Sequence, residues 1–177
     1  MSTPKGAIFT SALSLAIMAG ASMAETPHLG KPIDEAAIAN WDISIMPDGT
    51  GLPKGSGTPA QGAPIFAEKC SACHGDNGKG GIAAAVVSDV KINSISASQK
   101  TIKNFIGNST TIFDFIRRAM PFQSPRSLTD DEVYALTAYI LAENKLIGAE
   151  DVMNAETLPK VKMPNRDNFI IRFPDRI

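Results

Sequence analysis

Both cysteines of the 177-residue chain, and one of its two histidines, fall inside one short stretch, CSACHGDNGKGG at residues 70–81. Cys70, Cys73 and His74 stand at i, i+3 and i+4, spacings that share one face of a helical turn. Two sulfurs and an imidazole on one face suit the two vinyl groups and the iron of a single haem. Cys-x-x-Cys-His is the attachment signature of c-type haem. Three other uses of two close cysteines compete with it: a thioredoxin-like redox pair, half of a zinc site, or a plain disulfide. A redox pair normally follows a βαβ pattern, which is absent here, and zinc needs two further ligands that the cysteine and histidine count barely permits. One covalently held haem c is therefore expected. The glycines that follow end the turn and let the backbone pass close to a flat group.

The start of the chain bears on the same cysteines. Lys5, the apolar run AIFTSALSLAIMAG and the small residues SMA read as a secretory signal peptide, residues 1–24, cleaved after Ala24. The apolar run is short for a membrane anchor, no stop-transfer flank follows it, and no other segment could cross a membrane. Export places the protein in the periplasm, an oxidising compartment in which two close thiols close into a disulfide unless a cofactor claims them first. Losing Lys5 with the leader leaves 16 basic against 18 acidic side chains, a formal charge of −2, which argues against a nucleic-acid partner.

An iron held by one histidine takes a sixth ligand if it is to carry electrons, and a methionine thioether or the second histidine is the available choice. His28 sits in a Pro- and Gly-containing stretch and reads as a solvated side chain. The methionines beyond the leader are Met46, Met120, Met153 and Met163. Met46, Met120 and Met163 each precede a proline, which favours an extended backbone at the methionine. Met120 alone falls between two helical patterns, where a loop would pass over the haem. It is the expected distal ligand, with Met163 next, and each methionine has an ordinary alternative role as core filler.

The helical signals frame this site. Thr58 with Gln61 marks an N-terminus, and Gly62, Ile65, Phe66, Lys69 and Cys70 form a stripe, although Pro64 suggests that regular helix begins only near Gly62. STTIFDFIRRAM reads as a second helix, with Arg117 and Arg118 near its end, facing solvent, a haem propionate or a partner. Thr129 with Glu132 forms a capping box, Asp130 and Asp131 suit the helix dipole, and Val133, Leu136, Tyr139 and Ile140 supply apolar surface to a helix that ends near residues 144–148. Residues 25–57 and 148–177 are rich in Pro, Gly, Asn and charge. Yet Trp41, Ile43, Ile45, Phe169, Ile170, Ile171 and Phe173 are too apolar for free tails and are expected to pack over the haem domain.

A helix bearing Gly62 and Phe66 that enters Cys-x-x-Cys-His, a methionine loop, and a helix bearing Tyr139 together resemble a class I cytochrome c over about residues 57–147. The resemblance implies an all-α fold in which the first and last helices cross at Gly62, Phe66 and Tyr139. A narrower resemblance spans nearly the whole exported chain. WDISIMPDGTGLPKGSGT, IFAEKCSACHG, TTIFDFIRRAMPFQSPRSLTDDEVYALTAYIL and VMNAETLPKVKMPNRD are similar to cytochromes of bacterial sulfur oxidation: the SoxD-like proteins and the monohaem (SorU-like) partners of periplasmic sulfite dehydrogenases. It implies His74 and Met120 as axial ligands, a haem domain at 58–147, and extensions at 25–57 and 148–177 that wrap it. The chain departs from that pattern at FIGNSTTIFDF, where Phe115 stands in place of a tyrosine and an aromatic-proline pair is missing. SoxD-like proteins are also longer and carry a second haem, whereas two cysteines provide for one, so the small monohaem partner is the closer match.

The resemblance implies a one-electron carrier rather than an enzyme, taking electrons from sulfite dehydrogenase and passing them to a terminal oxidase or another cytochrome. Two other readings stand beside it. If Met120 does not bind iron, a five-coordinate haem enzyme or gas sensor follows; alternatively the chain is a permanent cytochrome subunit of another sulfur-oxidising oxidoreductase.

Overall fold

The computed structural model describes residues 29–39, 41–89 and 100–169. The leader, His28, Ile170, Ile171 and Phe173 lie outside them. The order of elements is α1 (Glu35–Ala39), β1 (Ser56–Gly57), α2 (Pro59–Lys69), α3 (Ser71–His74), α4 (Ile102–Phe105), α5 (Ser109–Ala119), α6 (Asp130–Glu143) and β2 (Met153–Asn154), with short 3-10 turns between them. The fold is all-α, as expected, with one addition: β1 and β2 pair antiparallel, Ser56 opposite Asn154 and Gly57 opposite Met153.

Helix α6 is the centre of the packing. Its start follows from the sequence: Thr129 Oγ1 accepts the Glu132 N–H (3.2 Å), and Glu132 Oε2 accepts the Thr129 N–H (2.8 Å). From Val133 to Leu141 every residue is buried, so this helix is covered on all sides rather than along one stripe. Glu132 has a second role, because its Oε1 receives the Lys69 ammonium at 2.7 Å and so ties the end of α2 to the start of α6.

Helix α2 crosses α6 where the chain is thinnest. A Cβ on Gly62 would run into the Ala135 carbonyl and come within 2.7 Å of Tyr139 Cβ, and a Cβ on Gly57 would strike the same turn of α6. The Phe66 and Tyr139 rings meet beside this contact with centroids 5.1 Å apart and planes at 41°. The helix begins at Pro59, three residues earlier than Pro64 suggests. The capping box at Thr58 and Gln61, together with burial of Gly62 and Phe66 against α6, outweighs the one backbone hydrogen bond that Pro64 cannot donate.

Helix α5 packs on α6 through Phe113, whose ring centroid lies 4.4 Å from that of Tyr134. Tyr134 donates its hydroxyl to the Pro53 carbonyl at 2.9 Å, and burial pushes its phenol up to about 12. The C-terminal extension supplies Met153, Leu158 and Met163 to the core, and Ser109 Oγ donates to the Leu158 carbonyl at 2.5 Å. Met163, the second candidate ligand, is 1% exposed and packs in this core, away from the cavity described below. In the N-terminal extension Ile45 packs on the core and Arg118 donates from Nη2 to the Ile43 carbonyl (3.1 Å). Trp41, by contrast, is 80% exposed and Phe169 58%, although the Phe169 ring lies close over Gly107. Among the described residues no helix is long and apolar enough to cross a membrane.

Two predictions follow from this packing. Gly62→Val should lower the stability of the holoprotein by about 1–3 kcal/mol through overpacking at the helix crossing, read as a reduced denaturant midpoint at unchanged slope. Hydrogen bonding from Lys69, then from the Thr129 N–H, holds the Glu132 carboxyl below its ordinary value of 4.5. A depressed carboxylate stabilises the fold above about pH 4.5, and that contribution disappears as pH falls through the folded-state value. Glu132→Gln should therefore flatten that part of the acid limb while keeping the cap, whereas Glu132→Ala should cost about 1 kcal/mol more at neutral pH. A pH series of thermal melts on the two variants checks both.

Candidate haem site

Helix α2 stops at Cys70, whose N–H still bonds to the Phe66 carbonyl (2.9 Å), and the chain immediately makes the single turn α3. The Cys73 and His74 N–H groups both reach the Cys70 carbonyl, at 3.1 and 3.0 Å, which sets the three motif side chains on one turn. Gly75 then adopts φ +75°, a left-handed conformation that a side chain would disfavour, and the chain doubles back so that Gly80 donates to the His74 carbonyl at 2.7 Å. Residues 82–88 fold over the motif, with Ala83 donating to the Cys73 carbonyl (2.8 Å) and Val86 to the Gly78 carbonyl (2.8 Å).

This fold-back delivers a partner for the imidazole. His74 Nδ1 lies 2.8 Å from the Ala84 carbonyl. A carbonyl only accepts, so Nδ1 carries the proton and Nε2 keeps its lone pair for a metal. The same pattern, an imidazole oriented by an acceptor on its far nitrogen, is general among metal-bound histidines.

Cys70, Cys73, His74 and Met120 all line one cavity of about 580 Å³, within the range of small-molecule and cofactor sites. Its walls are apolar, built from Phe66 of α2, Ile112 and Ile116 of α5, and Leu136 and Ile140 of α6. Met120 caps the C-terminus of α5 with φ −118° and ψ 146°, the extended backbone that a following proline favours. Neither cysteine is in a disulfide, and burial pushes the Cys70 thiol up to about 11. Among the described residues no three His, Cys, Asp or Glu side chains converge as a metal-ion site.

The residues present fit a c-type haem, first by donor chemistry: two thiols for covalent links, a nitrogen and a thioether for iron, and apolar walls for a flat ring. A second observation is independent of the motif. Thr101 lies on the same lining at 4% exposure, and its hydroxyl has no hydrogen-bond partner. It sits in a capping-box position with Asn104, whose Oδ1 accepts the Thr101 N–H at 2.7 Å. Beside it Lys100 also lines the cavity, its ammonium 5.0 Å from the Phe105 ring centroid. A buried hydroxyl and an ammonium on the lining of one cavity suit a carboxylate, and a haem carries two.

Arg117 and Arg118 are not part of this lining. Arg117 Nε pairs with Asp130 (3.1 Å) and Arg118 Nε with Asp114 (2.7 Å), so both serve the scaffold. Phe115 is on the lining and 57% exposed; with Ile82 at 89% and Phe122 at 79% it leaves an apolar mouth. Lys100, Thr101 and the Ala84 carbonyl escaped the sequence reading. Only the Thr101-x-x-Asn104 spacing carried a signal, as a helix start.

The comparisons with known proteins agree with this geometry. The family described as "Cytochrome C oxidase, cbb3-type, subunit III" matches residues 57–140. A subunit named cbb3-type cytochrome c oxidase subunit FixP from Bradyrhizobium sp. is 49% identical over 51 residues, covering 28% of this chain and 16% of that protein. A thiosulfate dehydrogenase from Psychrobacter arcticus is 30% identical over 108 residues, covering 55% of this chain and 31% of that one. The chain thus spans less than a third of either curated relative. Among solved structures, a chain in the crystal structure of the sulfane dehydrogenase SoxCD from Paracoccus pantotrophus matches with TM-score 0.73 and 34% identity, over 84% of this chain and 72% of that one. The chain belongs to the class I c-type cytochromes, as a relative of the SoxD-like cytochromes of bacterial sulfur oxidation.

Proposed function

We propose that this protein is a periplasmic monohaem carrier that accepts one electron at a time from sulfite dehydrogenase and passes it to a terminal oxidase or another cytochrome. The observation that carries the reading is the convergence of Cys70, Cys73, His74 and Met120 on one apolar cavity with an apolar mouth. Once bound there, a c-type haem supplies an Fe(II)/Fe(III) couple. Cys70 and Cys73 hold the group covalently, as thioethers. His74, oriented by the Ala84 carbonyl, would offer Nε2 to the iron, and Met120 would offer its thioether, so that no position would remain for substrate. Lys100 and Thr101, on the same lining, would meet the haem carboxylates. The walls from α2, α5 and α6 exclude water, so a change of charge at the site is accompanied by little solvent rearrangement.

Ile82, Phe115 and Phe122 form the surface through which the electron would pass, and their apolar character suits a small, transient interface. The relatives favour a second reading: a thiosulfate dehydrogenase and a sulfane dehydrogenase stand among them, which supports a role as the cytochrome subunit of a sulfur-compound oxidoreductase. Mixing separates the two. Oxidised protein should be reduced by sulfite only when sulfite dehydrogenase is added, as a freely dissociating partner on gel filtration; a stable co-eluting complex would select the subunit reading. Phe122→Glu should slow that reduction about tenfold without moving the reduction potential.

The denatured holoprotein should retain one haem by mass. Cys70→Ala and Cys73→Ala should each keep it by a single link, and the double variant should lose it to organic extraction.

A further inference from the structure

The carbonyl that orients His74 belongs to residues 82–88, a stretch with no helix or strand. Such a carbonyl keeps its position only if the segment is tied down. Three backbone bonds do part of this: Ala83 to the Cys73 carbonyl (2.8 Å), and Val86 and Val87 to the Gly78 carbonyl (2.8 and 2.9 Å). All three return to the motif and the turn after it, so they would let loop and motif drift together away from the helices. Beside the apolar packing of Val86 and the Asp89–Lys103 pair with α4, one side chain ties the loop to α6 by hydrogen bonds. Asn144, the residue that caps α6, donates from Nδ2 to the Val86 carbonyl (2.9 Å) and accepts the Ser88 N–H at Oδ1 (3.2 Å).

Asn144 is 1% exposed and makes a third bond, from Nδ2 to the Ile140 carbonyl at 2.8 Å. The partners fix the orientation of the amide, because the nitrogen must face the two carbonyls and the oxygen the N–H. An asparagine at a helix end commonly serves that helix alone. Here only one of its three side-chain bonds does so, and the other two reach the loop 56 and 58 residues away in the chain. The helix it anchors to is the one whose Leu136 and Ile140 form a wall of the cavity.

We propose that Asn144 is a positioning residue of the haem site: by fixing Val86 and Ser88 to the end of α6, it holds the Ala84 carbonyl against His74 Nδ1 and so sets how strongly the imidazole donates to the bound iron. The inference rests on the reading of His74 as an iron ligand. A short N–H to carbonyl bond makes the ring more basic and favours the ferric state, so loosening it raises the reduction potential.

The test uses the holoprotein and three variants. Asn144→Ala removes the tie, Asn144→Gln keeps the amide but displaces it by a methylene, and Thr137→Ala deletes another buried hydrogen bond of α6, Thr137 Oγ1 to the Val133 carbonyl (2.7 Å), that reaches neither loop nor cavity. The readouts are the exchange rate of the His74 Nδ1 proton in the ferrous protein by NMR, the midpoint potential and the melting temperature. Asn144→Ala should speed exchange by about tenfold or more and raise the potential, Asn144→Gln should move both in the same direction, and Thr137→Ala should lower only the melting temperature. Wild-type exchange and potential in the Asn144 variants, or equal changes in Thr137→Ala, would overturn the proposal. Should Asn144→Ala yield no folded holoprotein, Asn144→Gln decides by the same two readouts. Absence of a His74 resonance shifted by the haem ring current in the ferrous wild type would instead overturn the ligand reading itself.

Discussion

Everything else in this fold depends on how closely α2 can lie against α6. Gly57 and Gly62 let two turns of backbone approach Ala135, and Phe66 against Tyr139 fills the space beside them. Because α2 runs directly into the motif, the depth of that crossing sets the height at which Cys70, Cys73 and His74 meet the cavity, and α6 is at once the other half of the crossing and a wall of the site. A side chain at Gly62 would therefore act on the haem pocket as well as on stability. The Lys69–Glu132 pair, 2.7 Å long and partly shielded from solvent, fastens the same two helices at the motif end. Dense interiors transmit such shifts rather than absorb them.

The extensions add to this core from both sides. β1, immediately before α2, pairs with β2 in the C-terminal extension, so both segments are held to the helix crossing at one place. Beyond β2, Met153, Leu158 and Met163 complete the packing under α5 and α6, which explains why a methionine followed by proline near the end of the chain is a core residue and not a second loop ligand. Met120 differs because it ends α5 on the cavity itself. The proline after each methionine gives the same local preference; only tertiary position separates them.

What the sequence made legible was whatever depends on local spacing. The Cys-x-x-Cys-His turn, the capping boxes at Thr58 and Thr129 and the apolar period of α5 all stand in the structure where the residues indicated, whereas α6 is buried all round. Pro64 misled because its cost is one hydrogen bond, which a cap and a buried face repay. Trp41 misled because an apolar side chain in an irregular segment carries no directional signal, and it stands largely exposed. The Ala84 carbonyl, the Asn144 amide and the Thr101 hydroxyl were beyond reach. Each acts through contacts set by tertiary folding, and two of them act on or through main-chain atoms that residue identity does not encode.

The central claim is that His74 and Met120 together close the coordination of one haem iron, and the most direct measurement is the absorption spectrum of the oxidised protein with the reaction of the reduced protein toward carbon monoxide. Wild type and Met163→Leu should show the weak red charge-transfer band of a methionine-bound ferric haem and should not bind carbon monoxide, while Met120→Ala should lose the band and bind it. A wild-type protein that lacks the band and binds carbon monoxide would contradict the account, and would point to an iron with an open position.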